Sequence, residues 1–184
     1  MFLVCDLHGH SRKKNIFMYG NSGRVNDRLK ERIFPCLMDK NCDIFNFTDC
    51  AFTVQKAKES TARVVMWKEM NITNTFTLEC SFCGPDQGKF ADYHFNLDLL
   101  QEVGHKFCET ILDFCDPDQI KVKQVLEELE IMLPKASDTE SDAESGDQAS
   151  NEDGANSGDE GGAAVPTTEV ASKPTKKKVT KGKK

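Results

Sequence analysis

The sequence predicts an α/β fold over residues 1–135, followed by a disordered, acidic then lysine-rich tail over residues 136–184. Three observations carry this. Short apolar or alternating runs read as strands at Met1–Asp6, Ile16–Tyr19 and Thr73–Ser81, and such runs bury one or both faces of a sheet. Two long stretches, Asn96–Cys115 and Asp118–Leu133, repeat apolar residues at helical spacing. From Ala136 onward the chain contains no Phe, Trp, Tyr, Leu, Ile, Met or Cys, so it cannot bury enough apolar surface to offset its conformational entropy.

The elements follow in order. Met1–Asp6 is an apolar run, and Gly9 is expected to let the backbone turn where that strand ends. Ser11–Asn15 is polar and basic, Ile16–Tyr19 is a second apolar run, and Gly20-Asn21-Ser22-Gly23 is a turn cluster. Asn26–Met38 has helical spacing at Leu29, Ile33 and Leu37, with Pro35 expected to end or kink it. Asp43–Asp49 is irregular or a short strand. Ser60 or Thr61 caps a helix running to about Met70. Thr73–Ser81 alternates and is rich in Thr and Phe, and Gly84–Tyr93 is a loop. The two amphipathic helices follow. The first presents Leu99, Val103, Phe107, Ile111 and Phe114 on one face, and the second Val122, Val125, Leu126, Leu129 and Leu133. Asp116-Pro117 separates them, and Pro134 stops the second. The strands are too few for a large closed sheet of their own.

Charge and cysteine usage exclude some classes of function. The formal net charge of −6 divides evenly between the body and the tail, but within the tail the two signs are segregated. Asp138–Glu169 holds no Lys or Arg, and Lys173, Lys176, Lys177, Lys178, Lys181, Lys183 and Lys184 then reverse the sign. Those lysines either contact an anionic surface or simply solvate the terminus. The body is only mildly acidic, which argues against nucleic-acid binding. No membrane span is expected. The apolar run Met1–Val4 is too short for a secretory signal core, so the eight cysteines are expected to be reduced. Their neighbours are apolar, as in Cys36-Leu37, Phe107-Cys108 and Phe114-Cys115, which predicts buried free thiols. Cys80 and Cys83 form a C-x-x-C with no second pair at zinc-ribbon spacing, so no structural zinc is expected.

Two segments could carry chemistry. In the first, His8-Gly9-His10 ends an apolar run, where an imidazole could ligate a metal or shuttle a proton. The bland alternative is a core histidine satisfied by hydrogen bonds. His10 is expected to point to the face opposite His8. In the second, Glu79 lies within a strand-forming run and shares a face with Thr77 and Ser81. A buried Glu there would need a partner or a function, and a solvent-facing strand Glu would need neither.

The stretch Asp6-Leu7-His8-Gly9-His10-Ser11 resembles the cytosolic carboxypeptidases, a branch of the zinc metallocarboxypeptidases. So do Phe76-Thr77-Leu78-Glu79 and the Ser81-Phe82-Cys83-Gly84 that follows it. Between them, Arg12–Gly20, Arg32-Ile33-Phe34-Pro35 and Ser60–Trp67 are similar to the same subfamily, in order and at the right separations. The resemblance covers about Phe2 to Gly84. It implies the C-terminal half of a metallocarboxypeptidase α/β/α sandwich with a mixed sheet.

The resemblance also implies one zinc ion per complete catalytic domain, with His8 as a zinc ligand and Glu79 as the general base. It sets Arg63 in the pocket that reads the substrate's terminal side chain, where a guanidinium would favour a carboxylate; the alternative is a helix-surface arginine. The implied reaction removes C-terminal or branched glutamates from acidic protein tails such as those of tubulin, in the cytoplasm. His10, Lys13 and Lys14 either add positive potential near the cleft or form a solvated basic loop. Three features depart from the family. No His has Glu three positions later, so the His-x-x-Glu zinc motif is absent; the upstream arginines that grip the substrate's terminal carboxylate in the family are absent; and the family's mobile tyrosine has no counterpart, since no Tyr lies between Tyr19 and Tyr93. That leaves a second reading, a non-catalytic homologue that binds acidic tails.

Overall fold

The computed structural model describes residues 2–23 and 28–134. The expected tail from residue 136 lies outside the described residues. Three strands form one mixed sheet: β1 (Val4–His10), β2 (Ile16–Tyr19) and β3 (Thr75–Ser81), in the order β1-β3-β2. β1 runs parallel to β3, with Val4 opposite Thr75 and His8 opposite Glu79. β2 runs antiparallel to β3, with Phe17 opposite Glu79. Four helices accompany the sheet: α1 (Lys30–Asn41), α2 (Ala62–Glu69), α3 (Leu97–Cys115) and α4 (Ile120–Met132).

The first strand is longer than the apolar run suggests. It continues through Gly9 to His10, so both histidines stand on the strand and Gly9 makes no turn. Gly9 serves a close approach instead. A Cβ there would lie 2.2 Å from Cε1 of Phe82, whose ring occupies that space. The turn falls a few residues later, at Asn15, which has φ 65°. Asn tolerates this left-handed conformation better than most residues. Its buried amide donates to Asp49 Oδ2 (2.9 Å) and Asp86 Oδ1 (2.8 Å), and its Oδ1 accepts from the Asp86 N–H (2.9 Å).

Alternation divides the sheet into two faces. One carries Ile16, Met18, Phe76 and Leu78, all buried against Phe34 and Met38 of α1 and Leu99 and Val103 of α3. Phe34 is central to this core. Its ring stacks on Phe76 at 5.7 Å and meets Phe107 and Phe114 edge-on at 5.5 and 5.7 Å. The expected apolar face of α3 is the one that packs, since Phe107, Ile111 and Phe114 join Leu99 and Val103. A second cluster joins Leu29, Ile33, Cys36 and Leu37 to Val125 and Leu129 of α4.

Two expectations fail for clear reasons. Pro35 does not end α1, which continues to Asn41. The lost backbone bond costs about 3 kcal/mol, and the burial of Phe34, Cys36, Leu37 and Met38 around it offsets that loss. All eight cysteines are free, but Cys83, Cys108 and Cys115 are exposed. Cys108 and Cys115 lie on α3, where each residue turns about 100° from the last, so the neighbour of a packed Phe faces elsewhere; Cys83 lies beyond β3 beside Phe82, itself exposed. Cys36 and Cys42 are buried as expected. Among the described residues no helix is long and apolar enough to cross a membrane.

Candidate active site

The second face of the sheet carries the polar residues. Asp6, His8 and His10 alternate along β1, Thr77, Glu79 and Ser81 along β3, and Phe17 and Tyr19 along β2. His10 therefore shares the face of His8 and does not point away from it. The two-residue period of a strand requires this. His10 Nδ1 lies 3.6 Å from Glu79 Oε2, and its ring meets Phe17 edge-on at 5.1 Å.

Glu79 is buried, 8% exposed, and is not a solvent-facing strand residue. Burial pushes its carboxyl pKa up, and Asp6 adds to the rise. His8, Lys58 and Arg63 act against it. A carboxylate with a raised pKa is a better proton acceptor than a free one, provided it is ionised when the reaction begins.

His8 stands beside Glu79 in the sheet register and is half exposed. Its Nδ1 lies 3.2 Å from Asp6 Oδ1. A carboxylate there favours a proton on Nδ1 and leaves the Nε2 lone pair for a metal, the usual arrangement for ligating histidines. The donor chemistry of His8 thus fits zinc. Among the described residues, however, no three His, Cys, Asp or Glu side chains converge on one point. His8 could supply one ligand, and the pair that a His-x-x-Glu motif would add is absent from this sequence.

Arg63 sits in the first turn of α2 and is 8% exposed, so it is not a helix-surface arginine. Its Nη1 donates to the Gly20 carbonyl and to Asn21 Oδ1. The Asn21 amide in turn donates to Thr75 Oγ1 at 2.6 Å. Burial lowers the Arg63 pKa, while Tyr19 and Glu79 raise it. The structure thus brings His8, Glu79 and Arg63 to one side of the sheet. Asp6 and His10 belong to the same group, and strand alternation from His8 is the signal that finds both.

No family model matches the chain. Individual relatives do. The chain is 52% identical over 138 residues to cytosolic carboxypeptidase 3 of Mus musculus, and 50% identical over 135 residues to cytosolic carboxypeptidase 2 of Homo sapiens. Each match covers 72% of this chain but only 14% and 15% of the relative, so the chain spans about a seventh of their length. A crystal structure of a metallo-carboxypeptidase from Burkholderia cenocepacia aligns with a TM-score of 0.50 and 16% identity, over 60% of this chain and 30% of that one. At 16% identity this similarity supports the fold alone. The near-half identity of the animal relatives supports more, and the chain belongs to the cytosolic carboxypeptidase family.

Proposed function

We propose that this chain carries part of the active site of a cytoplasmic zinc metallocarboxypeptidase. Its reaction would release C-terminal or branched glutamates from acidic protein tails such as those of tubulin, with neither nucleic acid nor membrane as partner. One observation carries the reading. Glu79 is a buried carboxylate in register with His8 and 3.6 Å from His10, within the segment that resembles the family's catalytic stretch. His8 is the ligand this chain offers, oriented by Asp6. When bound, zinc would polarise the scissile carbonyl and acidify a water. Glu79 takes the proton from the attacking water and gives it to the leaving nitrogen, which departs as a neutral amine. Arg63 favours a carboxylate side chain at the substrate's end through its guanidinium donors.

The test is a chimera. Residues 2–134 replace the homologous segment of mouse cytosolic carboxypeptidase 3, and glutamate release is measured from a peptide ending in several glutamates. The chimera should turn over. Glu79→Gln should lose about a hundredfold to ten-thousandfold in kcat while zinc content is unchanged. Full activity in Glu79→Gln would remove Glu79 from the mechanism. The second reading, a non-catalytic binder of acidic tails, is favoured by the lack of a three-donor cluster among the described residues. It would be preferred if the chimera holds zinc and peptide but releases no glutamate.

A further inference from the structure

We propose that Lys13 is a specificity-determining residue of this site, binding an acidic side chain of the peptide that crosses Glu79, and that the adjacent Lys14 has no such role. The inference rests on the proposed reading of this face as a carboxypeptidase site and names a second point of contact for its substrate.

Arg63 and Lys58 act on Glu79, and a third cation, Lys13, is held on the ring of its register partner Phe17; the structure treats the three differently. Arg63 is committed through Nη1 to the Gly20 carbonyl and Asn21, at the end of the sheet where β3 begins with Thr75. Lys58 is exposed on a short 3-10 turn (Lys56–Lys58) and acts on Glu79 only through its field. Lys13 lies in the connection after His10, at the end of the sheet where β3 finishes with Ser81. Its Nζ is held over the Phe17 ring, 5.1 Å from the centroid. Phe17 is the register partner of Glu79, and the same ring packs against His10. The lysine stem is half-buried, whereas Lys14 is exposed.

The contact with Phe17 fixes the ammonium without neutralising it. A ring face attracts a cation through its quadrupole but carries no net charge. Lys40, Lys68, Lys89, Lys106 and Lys121 each have a carboxylate partner within ion-pair distance. Among the described residues Lys13 has none. Its charge reaches the thiol of Cys50 but meets no carboxylate of the described residues within ion-pair distance, and the Phe17 ring shields it from water on one side. A carboxylate arriving there pairs more strongly than with a freely moving surface lysine, because less side-chain freedom is lost on pairing. A peptide lying along the strands over Glu79 would meet Arg63 towards one end and Lys13 towards the other. That arrangement suits a run of acidic residues better than a single acidic terminus.

The test uses the full 184-residue chain and a fluorescein-labelled hexaglutamate with a free C-terminus. Binding is followed by anisotropy at low salt without added metal. Lys13→Met keeps an apolar stem over Phe17 and removes the charge. It should weaken binding about fivefold, Lys13→Arg should restore it, and Lys14→Met should leave it unchanged. Both methionine variants lose one charge and keep all seven lysines of the tail. Equal weakening in both, or weakening in neither, would overturn the proposal, because the peptide would then be held by net charge or by the tail. Glu79→Gln removes a like charge and should tighten binding, and no change would mean the peptide does not cross this face. The two proposals fail separately. An inactive chimera with a Lys13-specific effect sinks the reaction and keeps Lys13, and an active chimera without that effect does the reverse.

Discussion

Arg63 shows how one side chain can carry two duties that a single substitution confuses. Its Nη1 holds Gly20 and Asn21, and through Asn21 it ties the turn after β2 to Thr75 of β3. Arg63→Leu removes that donor and leaves buried acceptors unpaired, each costing about 1–3 kcal/mol. The variant should therefore unfold at lower urea than the parent chain, seen by circular dichroism, before any change in substrate preference is considered. An unchanged urea midpoint would show that these bonds contribute nothing to stability. The candidate residues His8, Glu79 and Arg63 are legible at this scale, because they lie in stretches whose residue order resembles a known family. His10 was legible too and was misplaced. Alternation from His8 sets it on the same face, 3.6 Å from Glu79. The bond from Arg63 to Gly20 was not legible, because it joins residues 43 apart in the chain and no local pattern encodes it.

Between elements, the junction of α1, α3 and α4 is fixed by a small polar network. Asn41 at the end of α1 donates to Asp113 Oδ2 (2.9 Å) and Thr110 Oγ1 (3.1 Å) on α3, and Lys121 of α4 donates to Asp113 Oδ1 (2.7 Å). Partial burial alone would raise the Asp113 pKa. The bonds from Lys121 and Asn41 outweigh it and hold the carboxyl below its ordinary value. A carboxyl whose folded pKa is depressed contributes stability above its unfolded pKa and loses it as pH falls through the folded one. The parent chain should therefore resist urea better than Asp113→Asn at pH 7, and the gap should shrink as pH falls below about 4. A gap that does not shrink at all as pH falls below about 4 would assign the effect to packing rather than charge. Helix and strand positions were mostly readable here. Period and caps located α2, α3, α4 and β3 to within a few residues. Pro35 and Gly9 misled, because what lets a proline sit inside a helix or a glycine inside a strand is tertiary packing, by Phe34 and Met38 in one case and Phe82 in the other.

Across the whole molecule, one aromatic side chain joins the layers. Phe34 touches β3 through Phe76 and α3 through Phe107 and Phe114, with no exposed surface of its own. Phe34→Ala should cost about 3–5 kcal/mol, read as a lower urea midpoint with both far- and near-ultraviolet dichroism lost together. A loss confined to the near-ultraviolet signal would instead mean the helices persist without a shared core. The sheet's two outer strands differ in a way that bears on handling. The outer side of β2 is bridged by Phe45 and Ala51. β1 has β3 as its only neighbour among the described residues, and close by it Leu7 and Phe82 are 68% and 71% exposed. A bare strand edge flanked by large apolar groups is a template for another edge of the same kind. In a concentrated preparation of the 184-residue chain, β1 is where one molecule would begin to stick to the next.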